Sequence, residues 1–288
     1  MPGHLEGKAV LITGGTMGIG LVTGLAFGRH GAHCTLTYKW GTADEDEVRR
    51  RFAEVGAPPP SIVRADVSRD EDTVALLEGM RRVHGRVETF VSNVSVALVV
   101  SGLPDYEKRS LLKSIEYSAW PLFAYPQRIK EVFGAYPRYV VGLSSGGVDA
   151  FYKNYDFVAA SKAVMETLCR YMSYRLFDED VRVNVVRSRL VRTESLRATF
   201  GAAFEPFAER FNMARQFIPA EEVANVVLAL CSGLLDGVNG QVIMVDRGTT
   251  FFDNLMRLYD EHGGPQRTWG APIWPPIPPS VRSVSAKP

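Results

Sequence analysis

The chain has 288 residues, enough for one large domain with a sizeable core. Hydrophobic residues make up 46% and charged residues 23%, the balance of a soluble globular protein. A net charge of +1 gives no electrostatic ground for a nucleic acid or an anionic membrane surface as partner.

Short apolar runs alternate with longer helical patterns. Strands are predicted at 8–13, 33–38, 61–66, 88–93, 138–145, 181–186 and 240–246. Helical patterns fill 18–30, 44–55, about 69–84, 107–134, 155–176 and 221–231. This alternation, with strands apolar on both faces, predicts an α/β fold: a Rossmann-type, doubly wound parallel sheet of about seven strands. Two segments break the rhythm. Residues 194–219 interrupt the last crossover, and the proline-rich segment 263–288 follows a domain expected over 1–262.

The cysteines (Cys34, Cys169, Cys231) are far apart and form no CxxC pair, which suits buried free thiols in a reducing cytoplasm. The N-terminus has no basic-then-apolar signal pattern, and no apolar run approaches membrane-spanning length. The chain is therefore expected in the cytoplasm. No histidine pair has metal-ligand spacing, so no metal site is expected.

The segment TGGTMGIG, Thr13 to Gly20, directly follows the first strand and opens the first helix. Gly14, Gly18 and Gly20 permit a tight turn and close backbone approach to a pyrophosphate, while the helix N-terminus offers free N–H groups. The spacing TGxxxGxG resembles the short-chain dehydrogenase/reductase family. Further matches follow in order: ADV at 65–67, SNVS at 92–95, VGLSS at 141–145, Lys162, VRVNVVRSRLVRT at 181–193 and NGQVIMVDRG at 239–248. The resemblance runs from about residue 7 to 253. It implies a nicotinamide cofactor held by Gly14, Thr16, Met17, Gly18, Ile19, Asp66, Val67, Asn93, Lys162 and Thr193. Tyr38 stands where a ribose-binding aspartate would exclude a 2′-phosphate, and Lys39 follows it. A cation there favours NADPH over NADH.

The catalytic positions depart from the family. Lys162 is present, and Ser145 stands at the family spacing with Ser144 as its neighbour. The tyrosine position is Val158, and the family's supporting asparagine falls near Tyr117 or Ser118. Four candidates remain for the proton donor: Tyr155, Ser95, Ser145 and a hydroxyl of the substrate itself. Tyr155, seven residues before Lys162, falls on nearly the same helical face at about 100° per residue, whereas Tyr152 lies about 80° away. The Y-x6-K pattern is similar to that of the enoyl-acyl-carrier-protein reductase branch. Ser95 takes the glycine of the family's NNAG, where its hydroxyl either meets substrate or cofactor or is that of a buried serine satisfied by backbone. RSRLV replaces the usual PG turn, so that Arg187 and Arg189 either alter that loop or face solvent.

In this family the insertion after the sixth strand closes over substrate. Phe200, Phe204, Phe207 and Phe211 recur at helical spacing, suiting a wall for a large, flat, apolar molecule or a core-facing stripe. The combination resembles ketoreductases that tailor aromatic polyketide antibiotics of the angucyclinone type. It implies an NADPH-dependent reductase of a polycyclic aromatic ketone. An enoyl-thioester reductase using Tyr155 and Lys162, and a non-catalytic NADP(H)-binding protein, are the alternatives. The family often assembles through its long helices, which makes a homo-oligomer conceivable, though Pro121 and Pro126 interrupt that segment.

Overall fold

The computed structural model describes residues 5–40, 44–96, 98, 100–210 and 216–262. The chain divides into two compact units, Met1–Arg247 and Gly248–Pro288. The first runs β1 (Ala9–Ile12), α1 (Gly18–Gly28), β2 (His33–Tyr38), α2 (Glu45–Glu54), β3 (Ser61–Arg64), α3 (Asp70–Arg81), β4 (Thr89–Ser92), α4 (Lys108–Ser118), α5 (Pro121–Phe133), β5 (Tyr139–Ser145) and α6 (Asp156–Arg175). It continues through β6 (Arg182–Ser188), α7 (Glu194–Phe200), α8 (Phe204–Arg210), α9 (Ala220–Leu230) and β7 (Val242–Val245). In the second unit a short 3-10 turn, Thr249–Phe251, precedes α10 (Asn254–His262), a helix the sequence reading did not anticipate. The proline-rich segment 263–288 lies outside the described residues.

The seven strands form one parallel sheet in the order β3-β2-β1-β4-β5-β6-β7. Strand periodicity sorts the core onto two faces. Along β1, Val10 and Ile12 join α1 and α9 residues such as Leu21, Leu25, Val223 and Val227. Leu11, pointing the other way, joins Leu77, Leu122, Ile129 and Met165 from α3, α5 and α6. Phe90 of β4 stacks on Tyr125 of α5 at 4.9 Å between ring centres. Because both faces are covered, β5 is buried from Tyr139 through Ser144. The order reverses between β1 and β4, opening a crevice at the carboxyl ends of the strands.

Two expectations need correction. The helix expected over 107–134 is two helices, because Pro121 begins a new one at its first turn, where a missing N–H costs nothing. The lid is likewise broken. Gly201 ends α7 at a φ of 85°, conformation that glycine adopts without strain, so Phe200 and Phe207 do not share one helix. Phe211 lies outside the described residues.

Candidate active site

The crevice holds a cleft of about 330 Å³ that gathers most of the predicted site residues. At one end, Gly14 (φ 63°) and Gly18 (φ 51°) turn the chain from β1 into α1. A Cβ on Gly20 would lie 2.3 Å from the Gly14 carbonyl oxygen, so only glycine lets the helix pack this tightly on the loop. Asn93 fastens the same loop, its amide donating to the carbonyls of Thr13 (3.1 Å) and Gly14 (2.8 Å). The helix enters through Met17, which makes no capping hydrogen bond, so the first N–H groups of α1 keep no side-chain partner there. That cradle fits the pyrophosphate of a dinucleotide. Thr16, Ile19 and Thr193 line it, and Thr193 also caps α7 by accepting from the Leu196 N–H at 3.2 Å.

Tyr38, Lys39 and Val67 line the second end, together with Trp40 and Tyr117, which the sequence reading did not assign there. Lys39 pairs with Asp66 and donates to the Tyr117 hydroxyl at 2.5 Å. Its ammonium also lies 4.3 Å from the Trp40 ring centre and 4.6 Å from that of Tyr117. Asp66 stands behind Lys39 rather than on the cleft wall. Burial raises its pKa, but the Lys39 charge and two hydrogen bonds from Ser68 outweigh that and hold the carboxyl below its usual range. Tyr38 turns its hydroxyl to Glu45 at 3.1 Å.

The third end gathers the residues that the sequence reading expects to carry the chemistry. Lys162 is only 3% exposed, and its ammonium reaches the Ser118 carbonyl at 3.5 Å. Burial pushes its pKa down to about 8, while Glu166, one turn along α6, pulls the other way. The sequence reading set the family's supporting asparagine near Tyr117 or Ser118, and of the two it is Ser118 whose carbonyl meets Lys162; its hydroxyl lies 3.3 Å from that of Ser95. Val158 is buried at 1% exposure and lines no part of the cleft.

Tyr155 does reach the cleft, but not as the helical-wheel argument expects. It is the N-cap of α6, and Asn154 before it takes a left-handed φ of 62°, which asparagine tolerates. Because neither Tyr152 nor Tyr155 belongs to the helix, the predicted angular difference between them does not apply, and both line the cleft. Their rings lie 5.7 Å apart, and Phe200 closes over them at 6.2 Å from Tyr152 and 6.5 Å from Tyr155. Burial raises the Tyr155 pKa, a hydrogen bond with Ser145 lowers it, and Tyr152 nearby raises it, the net shift being upward. The phenol is therefore kept protonated and able to donate.

Ser145 ends β5 at the cleft, where its hydroxyl also accepts from the Gly147 N–H at 3.5 Å. Ser144 instead gives its hydroxyl to Glu166 at 2.5 Å, so the neighbouring serines have different tasks. Arg187 forks onto Glu166 through Nε at 2.8 Å and through a second, shorter contact, and also pairs with Asp149. Burial opposes the charge on both partners and sets the net direction of each, raising Glu166, which Ser144, Arg170 and Lys162 pull down in part, and lowering Arg187. Arg187 therefore does not face solvent. Two lid residues assigned to substrate do not line the cleft: Phe204 packs between Phe200 (4.9 Å) and Phe217 (5.9 Å), and Phe207 is 53% exposed. The cysteines are all buried; burial pushes the Cys34 and Cys169 thiols up to about 12, so neither is a nucleophile.

Comparison with known proteins agrees with this geometry. The profile of the enoyl-(acyl carrier protein) reductase family matches residues 14–250. The NADH-dependent enoyl-[acyl-carrier-protein] reductase of Aquifex aeolicus is 26% identical over 254 residues, covering 85% of this chain and 92% of that protein. The 1-cyclohexenylcarbonyl-CoA reductase of Streptomyces collinus is 28% identical over 244 residues, covering 83% of this chain and 85% of its own length. Among solved structures, levodione reductase superimposes with a TM-score of 0.77 at 20% identity, over 86% of this chain and all of that one (100%). A 7α-hydroxysteroid dehydrogenase complexed with NADH and a 7-oxo bile acid does so with a TM-score of 0.75 at 23% identity, over 85% of this chain and 94% of that one. These two likenesses speak for the fold. The profile match covers most of the chain, and with it the chain belongs to the short-chain dehydrogenase/reductase family, on its enoyl-(acyl carrier protein) reductase side.

Proposed function

We propose that the protein is an NADPH-dependent ketoreductase that delivers hydride to a carbonyl of a polycyclic aromatic ketone, of the kind found in angucyclinone antibiotics. The observation that carries this reading is that Tyr155 and Ser145 both line the cleft beside the Tyr152–Phe200 wall, with Lys162 buried in the same cleft. Reduction builds negative charge on the carbonyl oxygen, and two fixed hydroxyl donors stabilise that charge. Bound NADPH supplies the hydride. Lys162 steadies the ribose and lends positive charge; Phe200 and Tyr152 orient a flat ring and exclude water. Where the ketone carries its own neighbouring hydroxyl, that group shares the developing charge.

For the cofactor, Lys39 at the end of β2 supports the phosphorylated form, although the Aquifex relative is named for NADH. Binding constants for both cofactors test this, and tighter NADH binding overturns it.

A second reading, reduction of an enoyl thioester, is favoured by the seven-residue spacing from Tyr155 to Lys162 and by the family profile. Both readings use Tyr155. Tyr155→Phe is expected to lose about 10²-fold or more in kcat/KM, and Ser95→Ala much less, since Ser95 already faces Ser118. Assays with NADPH and either an aromatic ketone or crotonyl thioester separate the readings. Turnover of the thioester alone sinks the ketoreductase, and turnover of neither leaves a cofactor-binding protein.

A further inference from the structure

Arg189 is the residue in the cleft that the reading above leaves without a task. It follows β6 directly, is half-buried, and lines the cleft beside Tyr152, Tyr155 and Phe200. Its stem crosses Gly146, where a Cβ would lie 2.9 Å from the Arg189 Cγ and 2.8 Å from the Tyr152 hydroxyl oxygen. Only a glycine at 146 lets the arginine and the tyrosine converge there. Its Nε donates to that hydroxyl at 3.4 Å, a long contact.

The neighbouring arginines are paired. Arg187 binds Glu166 and Asp149, and Arg192 and Arg197 share Glu205. Among the described residues, Arg189 has no carboxylate partner. A guanidinium half withdrawn from water into an aromatic wall is costly unless an anion meets it, and its planar fork suits a carboxylate or a delocalised oxyanion.

We propose that Arg189, oriented by Tyr152, is a specificity residue that binds an acidic oxygen carried on a flat apolar substrate. The carboxylate, phenolate or enolate of such a molecule meets the guanidinium while its rings lie against Phe200. The assignment rests on reading this cleft as the substrate site. It extends that reading by fixing the substrate's charge.

The test uses the full chain saturated with NADP+, which has no hydride to transfer, and two probes of the same flat body, 2-naphthoate and its neutral counterpart 2-acetonaphthone. Binding is followed by calorimetry at neutral pH. The wild type is expected to prefer the naphthoate. Arg189→Met is expected to weaken naphthoate binding about 10- to 100-fold and to leave acetonaphthone within about twofold. Arg189→Lys retains part of the preference. NADPH affinity reports folding of each variant, and Arg189→Gln replaces Arg189→Met if that variant fails to bind cofactor. A wild type with no preference for the anion, or a preference that survives both neutral substitutions, overturns the proposal. Failure of the ketoreductase reading looks different: no ketone is turned over by the wild type, yet the anion preference and its loss in Arg189→Met remain.

Discussion

The glycine-loop end and the Tyr155–Lys162 end of the cleft are built on opposite principles. The glycine-loop end is made of backbone: a strand, a turn with two left-handed glycines and the uncapped start of α1, all within Thr13 to Gly20. The Tyr155–Lys162 end is made of side chains from the ends of β4, β5 and β6, the start of α6 and the lid. A backbone site tolerates little change: a Cβ on Gly20 meets the Gly14 main chain, and Gly14 and Gly18 hold a left-handed φ that other residues adopt only with strain. A side-chain site can exchange one donor for another, provided some hydroxyl still reaches the oxygen. Val158 and Tyr155 illustrate the second case: one position is apolar and buried, and a hydroxyl arrives from three residues earlier, outside the helix.

The contrast can be broken most sharply at Gly20. Gly20→Ala sets a methyl 2.3 Å from the Gly14 oxygen and 2.6 Å from the Asn93 amide. Loss of measurable NADPH binding is expected by calorimetry, with destabilisation of about 1–3 kcal/mol. Retained binding refutes the rigid-backbone account of this end.

At the other end, Lys162→Met should reduce turnover about 10²-fold while raising thermal stability. The linkage gives the sign. With a folded pKa near 8 against an ordinary 10.5, the unfolded chain holds a proton that the folded chain has released between those values. Stability of the cofactor-free protein therefore rises from pH 8 to 10.5, and the burial penalty is fully present below pH 8. Its size is on the order of 1–3 kcal/mol. Denaturant titrations across that range check it: the rise must vanish in Lys162→Met. If the ammonium is the active form, kcat/KM of the wild type falls as pH rises through about 8.

A smaller effect is expected at Lys39. Lys39→Ala should cut the preference for NADPH over NADH about tenfold, because Asp66 and Tyr117 already take part of that charge. Unchanged Kd values for both cofactors remove Lys39 from the specificity argument. The smallest effect belongs to Phe207, which is exposed; Phe207→Ala should leave kcat/KM within about twofold and stability within about 0.5 kcal/mol.

This difference in construction also explains what could be read before folding. The seven strands, their parallel pairing and most of the helices follow from local periodicity, which the chain carries wherever both faces of a strand are buried. The glycine loop is legible for the same reason: its turn, its helix start and its close approaches all involve residues within one short segment or a carbonyl beside it. Lys39, too, is visible as a cation at a strand end, but its pairing with Asp66, across the sheet edge, is not.

The Tyr155–Lys162 end resists such reading. Sequence spacing puts Tyr155 on a helix face, yet Asn154 turns the chain so that the helix begins after it. The same spacing joins Phe200 to Phe207, yet Gly201 parts them. Ser144 and Ser145 look interchangeable in sequence; both line the cleft, but Glu166, twenty-two residues from Ser144, takes the hydroxyl of Ser144. Arg187 and Arg189 look alike as well, and only the carboxylates around them separate an internal strut from a cleft cation. The sequence by itself determined the sheet, the phosphate cradle and the family, because short-range periodicity and backbone freedom suffice for them. Tertiary structure alone decided which hydroxyls and which charge line the cleft, because that depends on partners brought together from distant parts of the chain.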